Sequence, residues 1–161
     1  NMPVNRQLLF CPHLTGDKTV YGDPYLRGAF IGLGTDATQE QMTRAIMEGI
    51  GFAFRQLMEE MQVGNDLCAI KVTGGMTCMP ALMQSFADIL NVRIETSQRI
   101  SAVQGIALLA ARSCGAADAF QNSNNAAQAC TYHPRMSFVK MYDEKFALYT
   151  RIYRSLKQIF E

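Results

Sequence analysis

The chain has 161 residues, 48% hydrophobic and 18% charged, enough for one packed domain or part of one, since domains mostly run from about 50 to 250 residues. Fifteen Lys plus Arg against 14 Asp plus Glu leave a formal net charge of +1, which argues against a nucleic-acid or anionic-membrane binder. No apolar run approaches the roughly 18 residues a membrane span needs, and no basic segment followed by an apolar one opens the chain, so a cytoplasmic protein is expected.

In chain order, Leu8 to Leu14 is a short apolar run, a strand or buried loop, ending in the turn-like Thr15-Gly16-Asp17. After a second break at Gly22-Asp23-Pro24, Ala29 to Leu33 reads as a strand between glycines. Thr38 and Gln41 make a capping box, so a helix is predicted from there, with Met42, Ala45, Ile46, Gly49, Ala53, Leu57 and Met61 on one apolar face and Gly64 as its stop. Gly49 and Gly51 in its middle each cost about 1 kcal/mol relative to alanine, which points to close packing or ligand approach.

Leu67 to Val72 is strand-like, with Ile70 to Val72 expected inside a sheet, and leads straight into Thr73-Gly74-Gly75. Pro80 suits the first turn of a helix whose buried stripe is Leu82, Met83, Phe86, Ala87 and Leu90. Val92 to Glu95 is a third strand, and Ser101 with Gln104 repeats the capping box before a helix stopping at Gly115. The alternation predicts neighbouring strands joined by helical crossovers. Residues 116–131 read as a polar connection, and Asp143 to Glu161 as an amphipathic helix with Phe146, Tyr149, Ile152, Tyr153, Leu156 and Phe160 on one side.

Five scattered cysteines form no close pair of the zinc or redox kind, and Cys68 and Cys114 read as small buried hydrophobes. Met42, Met58 and Met61 read as gap-fillers in a core. His13 and His133 lack a plausible acid, serine or metal partner and are assigned structural roles, Asp88 is expected to cap or pair at a helix end, and Arg44 with Glu48 to form an intrahelical or surface ion pair. A glycine pair alone is most often only a turn, and neither a P-loop nor a Gly-x-Gly-x-x-Gly fingerprint is present.

More specific is the spacing of Gly28, Phe30, Gly32-Leu33, Gln41-Met42 and Ala45-Ile46-Met47-Glu48. It resembles the second signature of the FGGY carbohydrate kinases, and the resemblance continues, in the family's order, through Gly74-Gly75, Leu82-Met83-Gln84, Asp88-Ile89-Leu90 and Gln104-Gly105-Ile106-Ala107. It covers nearly the whole chain but only the family's C-terminal part. The implied fold is α/β: the C-terminal part of an actin-like (ribonuclease H-like) ATPase domain, a short sheet flanked by helices, with residues 1–161 forming the ATP-facing domain, incomplete at its N-terminal side.

The resemblance implies that the full-length protein uses ATP and Mg2+ to phosphorylate a sugar or polyol hydroxyl. It places Gly74 and Gly75 beneath the adenosine end of ATP with Met76 flanking them. Met79 stands where glycerol-kinase-like members carry an asparagine near adenine, leaving apolar contact alone and favouring a ketose or related sugar over glycerol. Gly16-Asp17-Lys18 stands for the family's Gly-Glu-Arg, without the bidentate fork of arginine. The family's catalytic aspartate and phosphate loops lie upstream, so no catalytic residue is assigned. The chain alone is expected to be inactive, with the N-terminal kinase portion as its missing partner. A bared aromatic face from Phe146 to Phe160 would favour self-association, which allows a homo-oligomer. The alternative is a non-catalytic, kinase-derived binding or assembly module.

Overall fold

A computed structural model of the chain describes residues 7–63, 67–97, 102–115 and 130–160. A short antiparallel hairpin of β1 (Leu9–Cys11) and β2 (Ala29–Ile31) pairs Leu9 with Ile31 and Cys11 with Ala29. Helix α1 (Gln39–Glu60) follows, and its start is the predicted one: the Gln41 N–H donates to Thr38 Oγ1 at 3.2 Å while the Thr38 N–H donates to Gln41 Oε1 at 3.1 Å. It ends at Glu60 with Gln62 at φ +52, and Gly64 lies outside the described residues.

The second half is a crossover unit. Strand β3 (Ala69–Thr73), a 3-10 turn (Gly75–Cys78), helix α2 (Pro80–Leu90) and strand β4 (Arg93–Ser97) place β3 and β4 parallel, Ala69 opposite Arg93 and Thr73 opposite Ser97. Helix α3 (Ala102–Ser113) ends before Gly115 at φ +75, the predicted stop, whereas Ser101 of the second capping box and the 116–129 connection lie outside the described residues. Strand β5 (Thr131–Tyr132) pairs antiparallel with β4, and helix α4 (Met136–Phe160) closes the chain. The sheet order is β3-β4-β5, so among the described residues β4 is central and β3 an edge, not the interior strand expected.

Helix α1 is the hub, touching β1 on one side, α2 on another and α4 on a third. One core cluster joins Leu9 and Cys11 to Phe52, Ile89, Tyr142, Phe146, Tyr149 and Ile152; the other joins Met47 to Leu82, Met83, Phe86, Ala87, Val92 and Ile94. Burying each such large side chain contributes roughly 1.5–3 kcal/mol. The three-sided packing explains why the buried face of α1 departs from the single stripe expected: Met47, Glu48 and Phe52 are inside, while Ile46 is exposed and Met61 stands 65% exposed past the helix end. Gly49 and Gly51 serve packing. A Cβ on Gly49 would lie 2.2 Å from Phe10 O, and one on Gly51 2.7 Å from Ile89 Cδ1.

Helix α4 begins at Met136, ahead of the expected Asp143, because its first turn is capped from another helix: Asp88 Oδ1, wholly buried on α2, accepts the Arg135 N–H at 2.8 Å. The Arg135 side chain completes the clamp, with Nη2 2.6 Å from Asp88 Oδ2. Three residues of the aromatic face of α4 are covered, not bared. Phe146, Tyr149 and Ile152 are buried in this chain's own core. Cys68 and Cys114 are exposed, correcting their assignment to the interior, and Cys11 is the buried cysteine.

Candidate functional site

Parallel strands end where their crossover helices begin, and in open α/β sheets that edge is where ligands approach. Gly74 follows β3 there at φ +101 and ψ −174, a backbone that L side chains rarely adopt, and Gly75 opens the 3-10 turn. Thr77 folds the turn back on itself, its hydroxyl donating to Gly74 O at 2.7 Å and its N–H to the same oxygen at 3.1 Å. The Met79 N–H donates to Met76 O at 3.1 Å, and Pro80 starts α2 in the position where a missing N–H costs nothing.

Gly74, Gly75, Met76 and Met79 thus lie on one continuous turn at the C-terminal end of β3. Apart from the glycines' own chain neighbours and the backbone of the turn itself, no atom of the described residues comes within 4 Å of a Cβ added to Gly74 or Gly75, and the Met76 and Met79 side chains are partly exposed. Among the described residues the turn is a floor without a facing wall. A cavity of about 480 Å³ lies elsewhere, lined by Arg55, Leu67, Leu90, Asn91, Val92 and Asp143 among others, beside the residues that precede β3 and β4. It sits at the other end of the strands, roughly 16 Å of β3 away at about 3.3 Å per residue.

The strongest electrostatics belong to a different place, the α1–α4 interface. Glu48 is 1% exposed, and its Oε1 accepts from Arg44 Nε at 2.7 Å and from the Tyr142 hydroxyl at 3.1 Å, while Oε2 accepts from Lys145 Nζ. Arg44 Nη2 also donates to the Tyr142 hydroxyl at 2.9 Å. Burial pushes the Lys145 ammonium below its ordinary range, with Glu48 pulling back up and Arg44 pushing further down. Burial and then the Glu48 charge raise the Tyr142 phenol to about 12. The Arg44–Glu48 pair is intrahelical as expected, but it is buried and tied to α4, not a surface pair. Lys145 and Tyr142, missed from sequence, are 97 and 94 positions from Glu48.

A third cluster surrounds the Gly16-Asp17-Lys18 entry. Asp17 Oδ1 accepts the N–H groups of Thr19, Val20 and Tyr21 at 2.8, 2.8 and 3.1 Å, and Oδ2 lies 3.1 Å from His13 Nδ1. His13 therefore has the acid partner that sequence reading did not find, and its role is still structural: Nε2 faces the Tyr149 hydroxyl at 3.4 Å, and burial holds that phenol far above its ordinary range. Burial lowers the His13 pKa, Asp17 partly offsetting it. Burial raises the Asp17 carboxyl, but the three backbone donors and His13 overcome this and hold it below its usual range. The carboxylate fastens its own loop.

Among the described residues no three His, Cys, Asp or Glu side chains converge as a metal cage, and no helix is long and apolar enough to cross a membrane. An α/β unit of parallel strands and covering helices, with a glycine turn at the strand ends, is the architecture of the actin-like ATPase fold, and the solved structures it superposes on share it. The chain belongs to the FGGY family of carbohydrate kinases, whose C-terminal domain matches residues 3–114.

It is 30% identical over 159 residues to a xylulose kinase of Staphylococcus epidermidis, covering 94% of this chain and 32% of that protein. Over 107 residues it is 38% identical to glycerol kinase 2 of Pseudomonas aeruginosa, covering 65% of this chain and 21% of that one. The crystal structure of a xyloylose kinase from Brucella ovis superposes with a TM-score of 0.84 at 27% identity, over 99% of this chain and 34% of the other. The chain thus spans about a third of the length of the xylulose kinases it matches.

Proposed function

We propose that this chain is the nucleotide-binding part of an ATP-dependent kinase that phosphorylates a hydroxyl of a sugar or polyol. The observation that carries the reading is the Gly74-Gly75 turn, bare backbone at the C-terminal end of a parallel strand with no other described residue packed over it, in a chain of a carbohydrate kinase family. Gly74 and Gly75 would let the ribose and base approach the backbone, and Met76 and Met79 would flank them with apolar surface. ATP supplies the phosphoryl group when bound, and a magnesium ion neutralises charge on its phosphates. No metal cage is built by the described residues, so the ion is assigned to the phosphates and to groups outside them.

The facing wall, the catalytic base and the phosphate-positioning groups are assigned to a further portion of the kinase, as phosphoryl transfer needs donor, acceptor and metal in one closed site. On that reading residues 1–161 alone turn over no sugar. Met79, offering no hydrogen-bonding side chain, favours a ketose-type kinase over a glycerol kinase, although relatives of both names are similar to this chain.

The test pairs wild type with Gly75→Val in the full-length protein. Gly75 is outside the left-handed region and an added Cβ meets nothing, so thermal stability is expected to hold while ATP affinity falls at least about tenfold. Unchanged ATP affinity removes the site. Assays with ketoses, aldonates and polyols should show turnover by the full-length protein and none by residues 1–161; turnover by neither would favour a binding or assembly module.

A further inference from the structure

Cys11 and Leu26 are 3% and 0% exposed, and between these two anchors run residues 12–25, none of which is buried. The segment keeps its own shape: the Asp17 N–H donates to Asp23 O at 2.8 Å, and Asp17 Oδ1 gathers the N–H groups of Thr19, Val20 and Tyr21. Polar and aromatic contacts hold it to the helices. From α4, the Tyr149 hydroxyl meets His13 Nε2 at 3.4 Å, the Tyr153 ring stacks on Tyr21 at 3.7 Å, and the Tyr153 hydroxyl donates to Asp23 Oδ2 at 3.3 Å. From α1, Gln56 Oε1 accepts the Tyr21 hydroxyl at 2.9 Å. A stretch fastened by such contacts, with its apolar anchors only at the ends, can open locally while the core stays folded.

We propose that residues 12–25 form an acid-released strap, in which a proton on His13 frees the segment from α4 while Cys11 and Leu26 stay in the core. Asp17 Oδ2, a carboxylate oxygen 3.1 Å from His13 Nδ1, can only accept, so in the neutral ring Nδ1 carries the proton and Nε2 accepts from Tyr149. A proton on Nε2 sets two donors against each other. Tyr149 is 2% exposed, so its hydroxyl must turn away into the interior, and a buried donor without a partner is costly. The groups facing His13 do not offset this cost. Asp17 and Asp23 belong to the strap, so their charges travel with His13 when it opens. The Cys11 thiol of β1 is pushed up by burial and stays neutral, α4 presents the phenols of Tyr149 and Tyr153, and α1 presents Gln56, which does not titrate. Burial also holds the His13 pKa below its ordinary value, with Asp17 offsetting part of the shift, so the closed strap resists a proton that the open strap accepts. The closed form is therefore fully favoured above the ordinary histidine pKa of 6.5 and loses ground as pH falls below it.

The experiment is amide hydrogen exchange of the full-length protein between about pH 7.5 and about pH 5.5, each rate divided by the intrinsic rate at that pH. Protection of residues 12–25 is expected to fall at least about fivefold more than that of α1 over this range. His13→Gln, which keeps a donor for Asp17 and an acceptor for Tyr149 but cannot take up a proton, should abolish the difference. His133→Gln, outside the strap, should leave it as in wild type. Constant protection in wild type, an equal fall in the strap and in α1, or the same fall in His13→Gln overturns the proposal. Should His13→Gln not fold, the wild-type His13 imidazole resonances decide: their titration must share its midpoint with the loss of protection, and a loss of protection at constant His13 protonation overturns the strap.

Discussion

Glu48, between α1 and α4, is 1% exposed with three donors from Arg44, Tyr142 and Lys145 on its two oxygens, whereas an added Cβ on Gly74 or Gly75 would meet no described residue within 4 Å beyond the turn itself. The first region is determined by contacts within the chain. The second keeps its shape through a single turn, Thr77 to Gly74 O, and leaves its upper side to something else. A buried carboxylate must bring its counter-charges with it, because an unpaired charge in the interior is costly. A ligand-facing backbone has the opposite requirement, since any side chain placed over it would exclude the ligand.

The largest expected effect breaks the determined side of this contrast. Glu48→Ala leaves the Arg44 and Lys145 cations in the α1–α4 interface without their carboxylate, and removing one partner of a buried pair costs about 3–5 kcal/mol. Chemical denaturation of wild type and variant measures it, and a loss below about 1 kcal/mol would mean that the network is slack.

Next come the glycines, one from each region. Gly49→Ala drives a methyl to 2.2 Å from Phe10 O, a backbone atom that cannot step aside, and overpacking of this kind costs about 1–3 kcal/mol even though alanine is the better helix former. Gly75→Ala meets open space and should stay within about 0.5 kcal/mol of wild type. Equal losses at the two positions would erase the distinction drawn between them.

The smallest effect is a pH dependence in the His13–Asp17 loop. The folded pKa of His13 lies below the unfolded value of 6.5, so as pH falls through that value the unfolded chain takes up a proton that the folded chain resists, and stability declines until the folded group also titrates. Asp17 is likewise held below 3.8 and adds a decline of the same sign at lower pH. His13→Gln should flatten the stability profile just below pH 6.5 and leave the decline near Asp17 in place. An unaltered slope between pH 6.5 and 5 would show that His13 is as readily protonated in the folded loop as in the unfolded chain.

Much of the candidate site was legible because its signals are local. The Thr38–Gln41 box, Pro80 at the head of α2 and the glycine pair after a strand are settled by hydrogen bonds and φ/ψ preferences within a few positions, and each stands where it was predicted. What was not legible joins distant positions. The start of α4 is capped by Asp88, 47 residues away, and Phe146, Tyr149 and Ile152 of that helix share a core with Phe52 and β1. Cys68 and Cys114 sit among apolar neighbours in sequence and are exposed, because alternation along a segment shows which residues share a face but not whether that face is covered.

The sequence by itself determined the order of elements from α1 through α3, the helix starts at Thr38 and Pro80, the parallel crossover between β3 and β4, and the place of the Gly74-Gly75 turn at a strand end, but not β5, which falls where a connection was expected. Those features depend on backbone sterics, capping and apolar periodicity, which act over a few residues. Tertiary structure alone decided that β3 is an edge strand among the described residues, that Glu48 gathers Lys145 and Tyr142, and that no described residue beyond the turn's own neighbours packs over Gly74 and Gly75. Each of these depends on which faces meet across the fold, and burial turns a weak pair into an obligatory one only once those faces have met.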